Sequence, residues 1–333
     1  MHKVYVIAEI GVNHNGDLKL ALDMLKAAAE TGVDCVKFQA FKAEALASKY
    51  ADTAEYHKKN VSPDENNQQE MLKRYELQEK DFIVLREKCK QLGVDFLVTP
   101  FDDPSIDLLE RLNVAFWKIP SGEITNIPYL IKLAKTHKPV ILSTGMSTMD
   151  EVLYAVDLLK KYGTSEIVLL HCNTEYPSPY QDVNLKALNT IREKTGCRVG
   201  YSDHTPGIVV SLGAVALGAC VIEKHFTLNK NLPGPDHKAS MEPDEMKALV
   251  DGIRILEQAL GSEEKKVTES EAKNISIARK SIIAACDIKK GDIFTEKNIT
   301  TKRPGTGISP IHWFDVLGTA AIKDFKKDEC IEI

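Results

Sequence analysis

Short apolar runs recur along the chain, and each closes on a polar or ionisable residue before a stretch of helical spacing begins. The runs fall at residues 4–9, 33–39, 94–99, 115–119, 140–143, 167–171, 198–202 and 220–225. Between and after them, residues 18–30, 80–91, 104–112, 128–136, 149–161, 184–193, 208–217 and 243–260 repeat their apolar positions at helical period, with Gly93, Gly163, Gly218 and Gly261 as stops. Eight strand-then-helix units in a row predict a closed parallel (β/α)8 barrel rather than an open sheet. Such a barrel carries its active site where the strands end. Here the ends collect Glu9, Lys37, Gln39, Thr99, Lys118, Ser121, Glu123, Ser143, His171, Asp203, His204, Glu223 and His225. A buried strand has no folding reason to finish on a charge so consistently. The pattern predicts an enzyme.

Two departures from the alternation matter. The connection at 41–75 is long and carries the polar tract 62–70, which predicts a lid or binding loop on the strand-end side. After Gly261 the pattern changes. The barrel is expected to occupy 1–261, a charged linker with some helix 262–278, and a small mostly β module 279–333. A module of that size buries little core alone and is expected to lean on a barrel, its own or a partner's.

Composition narrows the class. At 333 residues and 43% hydrophobic, the chain has room for a barrel of about 250 residues plus the extra module. A net charge of −5 without any basic run excludes a nucleic-acid-binding surface, so an anionic ligand would need individually placed lysines. No apolar stretch is long enough to span a membrane, and Met1-His2-Lys3 leads straight into the first strand, so neither a membrane segment nor a signal peptide is expected. The seven cysteines are scattered without C-x-x-C spacing, as in a reduced cytoplasmic protein. Cys172, beside His171, reads as packing.

The strand ends offer specific chemistry. Lys37 and Lys118 either snorkel to solvent, as most lysines do, or cradle a phosphate or carboxylate with Ser121, Ser143 and the Gly122 and Gly145 backbones. A Schiff-base lysine is a further reading. His204 and His225 close neighbouring strands and can converge on one divalent ion, leaving positions for water and substrate. Imidazoles with oxygen ligands suit Mn²⁺ or a similar Lewis acid, and Zn²⁺ is also compatible. Glu9 opens the polar loop 9–16, which is either an ordinary turn or a ligand loop, and a buried carboxylate there needs a partner. The polar, rigid stretch 233–241 is a surface turn or, at the rim, places Asp236 against sugar hydroxyls.

Taken in order, segments 9–16, 37–39, 99–101, 118–123, 142–146, 171–177, 200–205, 223–227 and 234–241 resemble the bacterial sialic acid synthase family. The tail 302–308 resembles that family's C-terminal antifreeze-like (SAF) domain, so the resemblance covers essentially the whole chain. It implies a TIM (β/α)8 barrel followed by a small mostly β antifreeze-like domain. It implies a metal-dependent condensation of phosphoenolpyruvate with N-acetylmannosamine, giving N-acetylneuraminate and phosphate. The alternative is N,N'-diacetyllegionaminate synthesis from 2,4-diacetamido-2,4,6-trideoxymannose, and a Schiff-base keto-acid aldolase is more remote. A carbohydrate- or ice-binding protein with a vestigial barrel is disfavoured by the ionisable strand ends.

By position, the resemblance makes His204 and His225 ligands of a divalent metal, Mn²⁺ first, with Mg²⁺ or Co²⁺ as alternatives. Lys37, Thr99, Lys118, Ser121, Ser143 and Ser202 become the phosphoenolpyruvate contacts. Glu9, Gln39, Glu123, Tyr176 and Asp236 fall on the sugar side, with Glu9 and Glu123 catalytic and Glu123 a candidate for activating water. Arg303 reaches the sugar's N-acetyl group from the neighbouring subunit of a domain-swapped homodimer.

Overall fold

A computed structural model describes residues 3–48 and 68–333. The chain divides after Gly261 into two compact units. In the first, eight parallel strands follow one another: β1 (Tyr5–Gly11), β2 (Cys35–Ala40), β3 (Asp95–Pro100), β4 (Trp117–Ile119), β5 (Val140–Ser143), β6 (Ile167–Cys172), β7 (Arg198–Asp203) and β8 (Val221–His225). Consecutive strands pair in parallel from β4 round to β8, β8 pairs with β1, and β1 and β2 continue to β3. β3 and β4 lie side by side and complete the barrel. Helices alternate with the strands, so the predicted (β/α)8 order is the observed one.

The two-residue period of a strand decides what faces the barrel axis. Ile7, Cys35, Leu97, Ile141, Val168, Leu170 and Val221 form an apolar plug inside the barrel. Two residues further along the same strands come Glu9, Lys37, Thr99, Ser143, Cys172 and Glu223, so a polar layer sits directly above the apolar one. The opposite parity, including Val36, Phe38, Val98, Leu142, Leu169 and Ile222, packs outward in the main core with the helices. Gly200 supplies the inward position of β7, where a Cβ would stand 2.6 Å from both Leu170 Cδ2 and the Val221 carbonyl oxygen. Glycine alone lets β7 close on its neighbours there.

Predicted and observed element ends differ by a few residues. β1 runs on to Gly11 because its register against β2 shifts between Glu9 and Gly11, and such a bulge at a barrel rim re-aims the side chain beside it. β4 is shorter than expected, starting at Trp117. Of the long connection 41–75, residues 49–67 lie outside the described residues, and with them most of the expected lid. Its described flanks are the short helices Ala43–Leu46 and Gln68–Lys73. Asp102 ties this region to the next unit by accepting from the Lys42 N–H at 2.6 Å and capping the following helix through the Ser105 N–H at 2.8 Å.

The second unit holds an antiparallel pair, β9 (Ser281–Ala284) and β10 (Ile299–Lys302), with isolated bridges such as Ile288 to Phe325. Its core is small, built from Ile282, Ile288, Phe294, Ile299, Val316, Phe325 and Ile331 with lesser neighbours. Residues 262–278 include the short helices Glu269–Ala272 and Ile275–Ala278. Their end is bonded to the module, since Gly305 N–H donates to the Ser276 carbonyl at 2.7 Å. Among the described residues no helix is long and apolar enough to cross a membrane. All seven cysteines are free thiols.

Candidate active site

A cavity of about 610 Å³ opens at the ends of the barrel strands. Every residue expected in the site lines it except Arg303: Glu9, Lys37, Gln39, Thr99, Lys118, Ser121, Glu123, Ser143, Tyr176, Ser202, His204, His225 and Asp236. Arg303 belongs to the second unit, where it is exposed and its Nε donates to the Ala278 carbonyl at 3.0 Å.

The floor is ionic and buried. Lys37 Nζ lies 3.3 Å from Glu9 Oε2 and 3.2 Å from Glu223 Oε2, and it donates to Thr99 Oγ1 at 3.3 Å. Lys118 Nζ donates to Ser143 Oγ at 2.7 Å and stands 3.6 Å from Glu223 Oε1, which also accepts from Ser202 Oγ at 2.9 Å. Neither lysine snorkels to solvent. Burial pushes the Glu223 carboxyl up, but Lys118, Lys37 and the Ser202 hydroxyl together outweigh it and hold the group low, at about 2. Glu9 feels the same burial with less compensation. Lys37 and Gln39, whose Nε2 donates to Oε1 at 2.9 Å, leave its carboxyl above the ordinary range, and the charge of Glu223 adds to the rise. Two carboxyls around one ammonium are thus driven apart, a signature of acid–base sites. The lysines differ as well: the two glutamates raise Lys37 despite burial, whereas burial lowers Lys118.

The histidines meet beside this floor, where Ser202 Oγ, bonded to Glu223, also lies 3.5 Å from His204 Nε2. Their ring centroids are 5.5 Å apart, and Tyr176 stacks 4.1 Å from His204 and meets His225 edge-on at 5.5 Å. His204 Nδ1 lies 2.5 Å from the Asn173 carbonyl. A carbonyl only accepts, so Nδ1 carries the proton and Nε2 keeps its lone pair. His225 Nδ1 is buried without a hydrogen bond and lies 3.9 Å from Asp236 Oδ2. Burial drives both imidazoles down to about 3, so both are neutral at ordinary pH, the state a metal ligand requires. Gly11, at φ +56°, makes room for this corner. A Cβ there would stand 3.2 Å from Glu9 Oε1, 3.3 Å from Gln39 Nε2 and 3.6 Å from His225 Cε1. Two neutral imidazoles this close are the residues that could hold a divalent ion. Among the described residues no third His, Cys, Asp or Glu joins them in a ligand cluster, so water and substrate would supply the remaining positions.

Ser121 Oγ accepts from the Gly145 N–H at 3.0 Å and lies 3.3 Å from Cys172 Sγ, and Glu123 at the rim accepts from Asn126 Nδ2 at 2.6 Å. Two strand-end residues do not belong to the cavity. His171 turns outward, with Nε2 2.8 Å from the Val183 carbonyl, and Asp203 binds Lys224 at 2.9 Å and caps the Thr205 N–H at 2.8 Å. Sequence reasoning undervalued three others. Glu223 joins both lysines, yet it had only a strand-end mention; its place two residues after Val221 and two before His225 is the signal. Cys172 lines the cavity. Asn13 is fully buried and donates to the Phe226 carbonyl at 2.9 Å and to Ser240 Oγ at 2.8 Å, while Ser240 donates to the Asp236 carbonyl at 2.7 Å. The loop after β1 thereby staples the loop that presents Asp236.

This fold and site define a barrel enzyme, and comparison with known proteins places it. The NeuB family matches residues 24–265, and a SAF domain matches 279–332. The chain belongs to the NeuB family and is an enzyme, a carbon–carbon bond-forming transferase. It is 52% identical over 333 residues to the N,N'-diacetyllegionaminic acid synthase of Campylobacter jejuni, covering 99% of each chain. It is 50% identical over 319 residues to the synthase of that name from Legionella pneumophila, covering 95% of this chain and 89% of that one. Among solved structures, the N-acetylneuraminic acid (sialic acid) synthetase of Leptospira borgpetersenii, in complex with citrate, is 35% identical with a TM-score of 0.72, over 82% of this chain and 90% of that one.

Proposed function

We propose that the protein is a metal-dependent N,N'-diacetyllegionaminate synthase that joins phosphoenolpyruvate to 2,4-diacetamido-2,4,6-trideoxymannose and releases phosphate. The observation that carries this reading is that the His204–His225 pair and the Lys37–Lys118 pair line one cavity. The sugar expected first from the sequence, N-acetylmannosamine, gives way to the alternative because the relatives at 50% identity and above are diacetyllegionaminic acid synthases, whereas the N-acetylneuraminic acid synthetase stands at 35%.

Carbon three of the enol bonds to the aldehyde carbon of the open-chain sugar, water adds at carbon two, and the bond from carbon two to the phosphate oxygen breaks. Lys37 and Lys118, with the hydroxyls of Thr99, Ser121, Ser143 and Ser202, bind phosphoenolpyruvate by charge-assisted hydrogen bonds. Glu223 keeps its negative charge between the two ammonium groups, so they are oriented before the substrate arrives. His204 and His225 would hold a divalent ion, Mn²⁺ by our reading, which would supply Lewis-acid polarisation of the aldehyde oxygen. Glu123 at the rim takes the proton of the attacking water, and Glu9 holds a proton at the floor. Gln39 orients Glu9, Asp236 receives sugar hydroxyls, and Tyr176 covers the imidazoles and excludes water from that side.

The reading extends to assembly and location. Arg303, exposed on a small module tethered by residues 262–278, serves the sugar site of a second copy in a cytoplasmic homodimer. The chemistry is tested against a Schiff-base aldolase. Exhaustive EDTA treatment is expected to abolish turnover and Mn²⁺ to restore it, and borohydride with pyruvate is expected to leave the protein mass unchanged. Activity surviving chelation, together with a trapped lysine adduct, would overturn the assignment.

A further inference from the structure

The cavity has two unlike walls. Besides the ionic floor, Val12, Phe41, Met71 and Tyr75 form an apolar cluster of their own, separate from the main core, with Leu46, Leu72 and Phe101 packed against it and lining the same cavity. The wall draws on four places in the chain, one of them Phe101 directly after β3. Val12 follows β1, Phe41 and Leu46 follow β2, and Met71 and Leu72 come from the helix Gln68–Lys73. Phe41 and Phe101 lock its base in an edge-on contact with centroids 6.4 Å apart. Leu46 and Leu72 are only half-buried, so their side chains are available to a ligand.

We propose that this wall is a specificity subsite for the deoxygenated, N-acylated end of the sugar, taking its C6 methyl and 4-acetamido methyl groups. The inference rests on the synthase reading above and deepens it. N-acetylmannosamine, with hydroxyls at C4 and C6, turns polar groups onto a surface built largely of aliphatic and aromatic carbon, and those groups lose water with little replacement. A trideoxy diacetamido sugar presents methyl groups there. An apolar pocket rejects an added hydroxyl only modestly, by about tenfold to a hundredfold. The wall therefore ranks sugars and does not exclude one outright.

The test compares kcat/KM for 2,4-diacetamido-2,4,6-trideoxymannose and for N-acetylmannosamine, at saturating phosphoenolpyruvate and Mn²⁺, in the full-length protein and in Leu46→Asn, Leu72→Gln and Leu72→Met. The unaltered enzyme is expected to favour the trideoxy sugar by about tenfold to a hundredfold. Each polar variant is expected to cut that ratio at least fivefold, through the trideoxy sugar, while Leu72→Met retains it. Circular dichroism checks that the half-buried sites accept the change. An unchanged ratio, or equal loss for both sugars, overturns the subsite while leaving the synthase intact. Phosphate release with neither sugar overturns the synthase reading and the subsite with it.

Discussion

Lys37 on β2 and Glu223 on β8 meet 3.2 Å apart across the intervening β1, so the floor of the barrel mouth is an ion pair between strands that are not neighbours. The pair is buried, and Glu223 also serves Lys118 at 3.6 Å. Its geometry makes Glu223 the keystone of the floor. Removing one partner of a buried pair strands the other charge, at a cost of about 3–5 kcal/mol. Glu223→Gln is expected to lower stability by that order in urea unfolding. A change below about 1 kcal/mol would mean that Glu9 alone compensates both lysines.

The two lysines are expected to act on one substrate. Lys37→Met or Lys118→Met removes a charge-assisted contact to an anion and should raise the KM of phosphoenolpyruvate by tenfold or more, with the sugar KM moving much less. Steady-state kinetics with each substrate varied in turn gives the answer. Equal shifts in both constants would reduce the lysines to structural partners of the glutamates.

Acid stability should depend on His14. It is fully buried, its Nδ1 accepts from the Gly16 N–H at 3.0 Å, and burial pushes the imidazole down from 6.5 to about 4. The unfolded chain therefore binds a proton that the folded protein refuses between those values, and stability falls as pH drops from about 6.5 to about 4. At about 1.4 kcal/mol per unit, the window contributes about 3 kcal/mol. Urea midpoints across this range should fall less steeply in His14→Gln than in the unaltered protein. Parallel slopes would contradict the assignment.

Arg303 should work in trans. When inactive His204→Ala protein and inactive Arg303→Ala protein exchange subunits, one site of the mixed dimer receives both lesions and the other receives neither. Activity is expected to recover toward half of normal per mixed dimer. Exchange confirmed by native mass spectrometry with activity still at background would show that Arg303 does not cross between chains.

The barrel was legible because each strand's apolar run is short, and because the chain changes period where the strand stops. Much of the cavity was legible for the same reason: a lysine, serine or histidine closing a buried strand has no packing explanation. Parity refines that rule. His171 and Asp203 close strands too, but they fall on the face opposite Leu170 and Ser202 and point away from the cavity. The Glu223–Lys37 pair was not legible, since nothing local tells a glutamate on β8 that its partner is a lysine on β2. The role of Asn13 was hidden in the same way, because its partners Phe226 and Ser240 lie at the far end of the barrel sequence. The apolar wall was not legible either, because it assembles from four separate places in the chain.

Phosphate release tests the proposed condensation most directly. Phosphoenolpyruvate is incubated with the chelated protein and a panel containing 2,4-diacetamido-2,4,6-trideoxymannose, N-acetylmannosamine and unacylated mannosamine, with and without Mn²⁺, and the product mass is read alongside phosphate. The predicted result is Mn²⁺-dependent release, fastest with the trideoxy sugar, with a product whose mass equals that of the sugar plus pyruvic acid. Sugar-independent release, or condensation that proceeds equally well without metal, would contradict it.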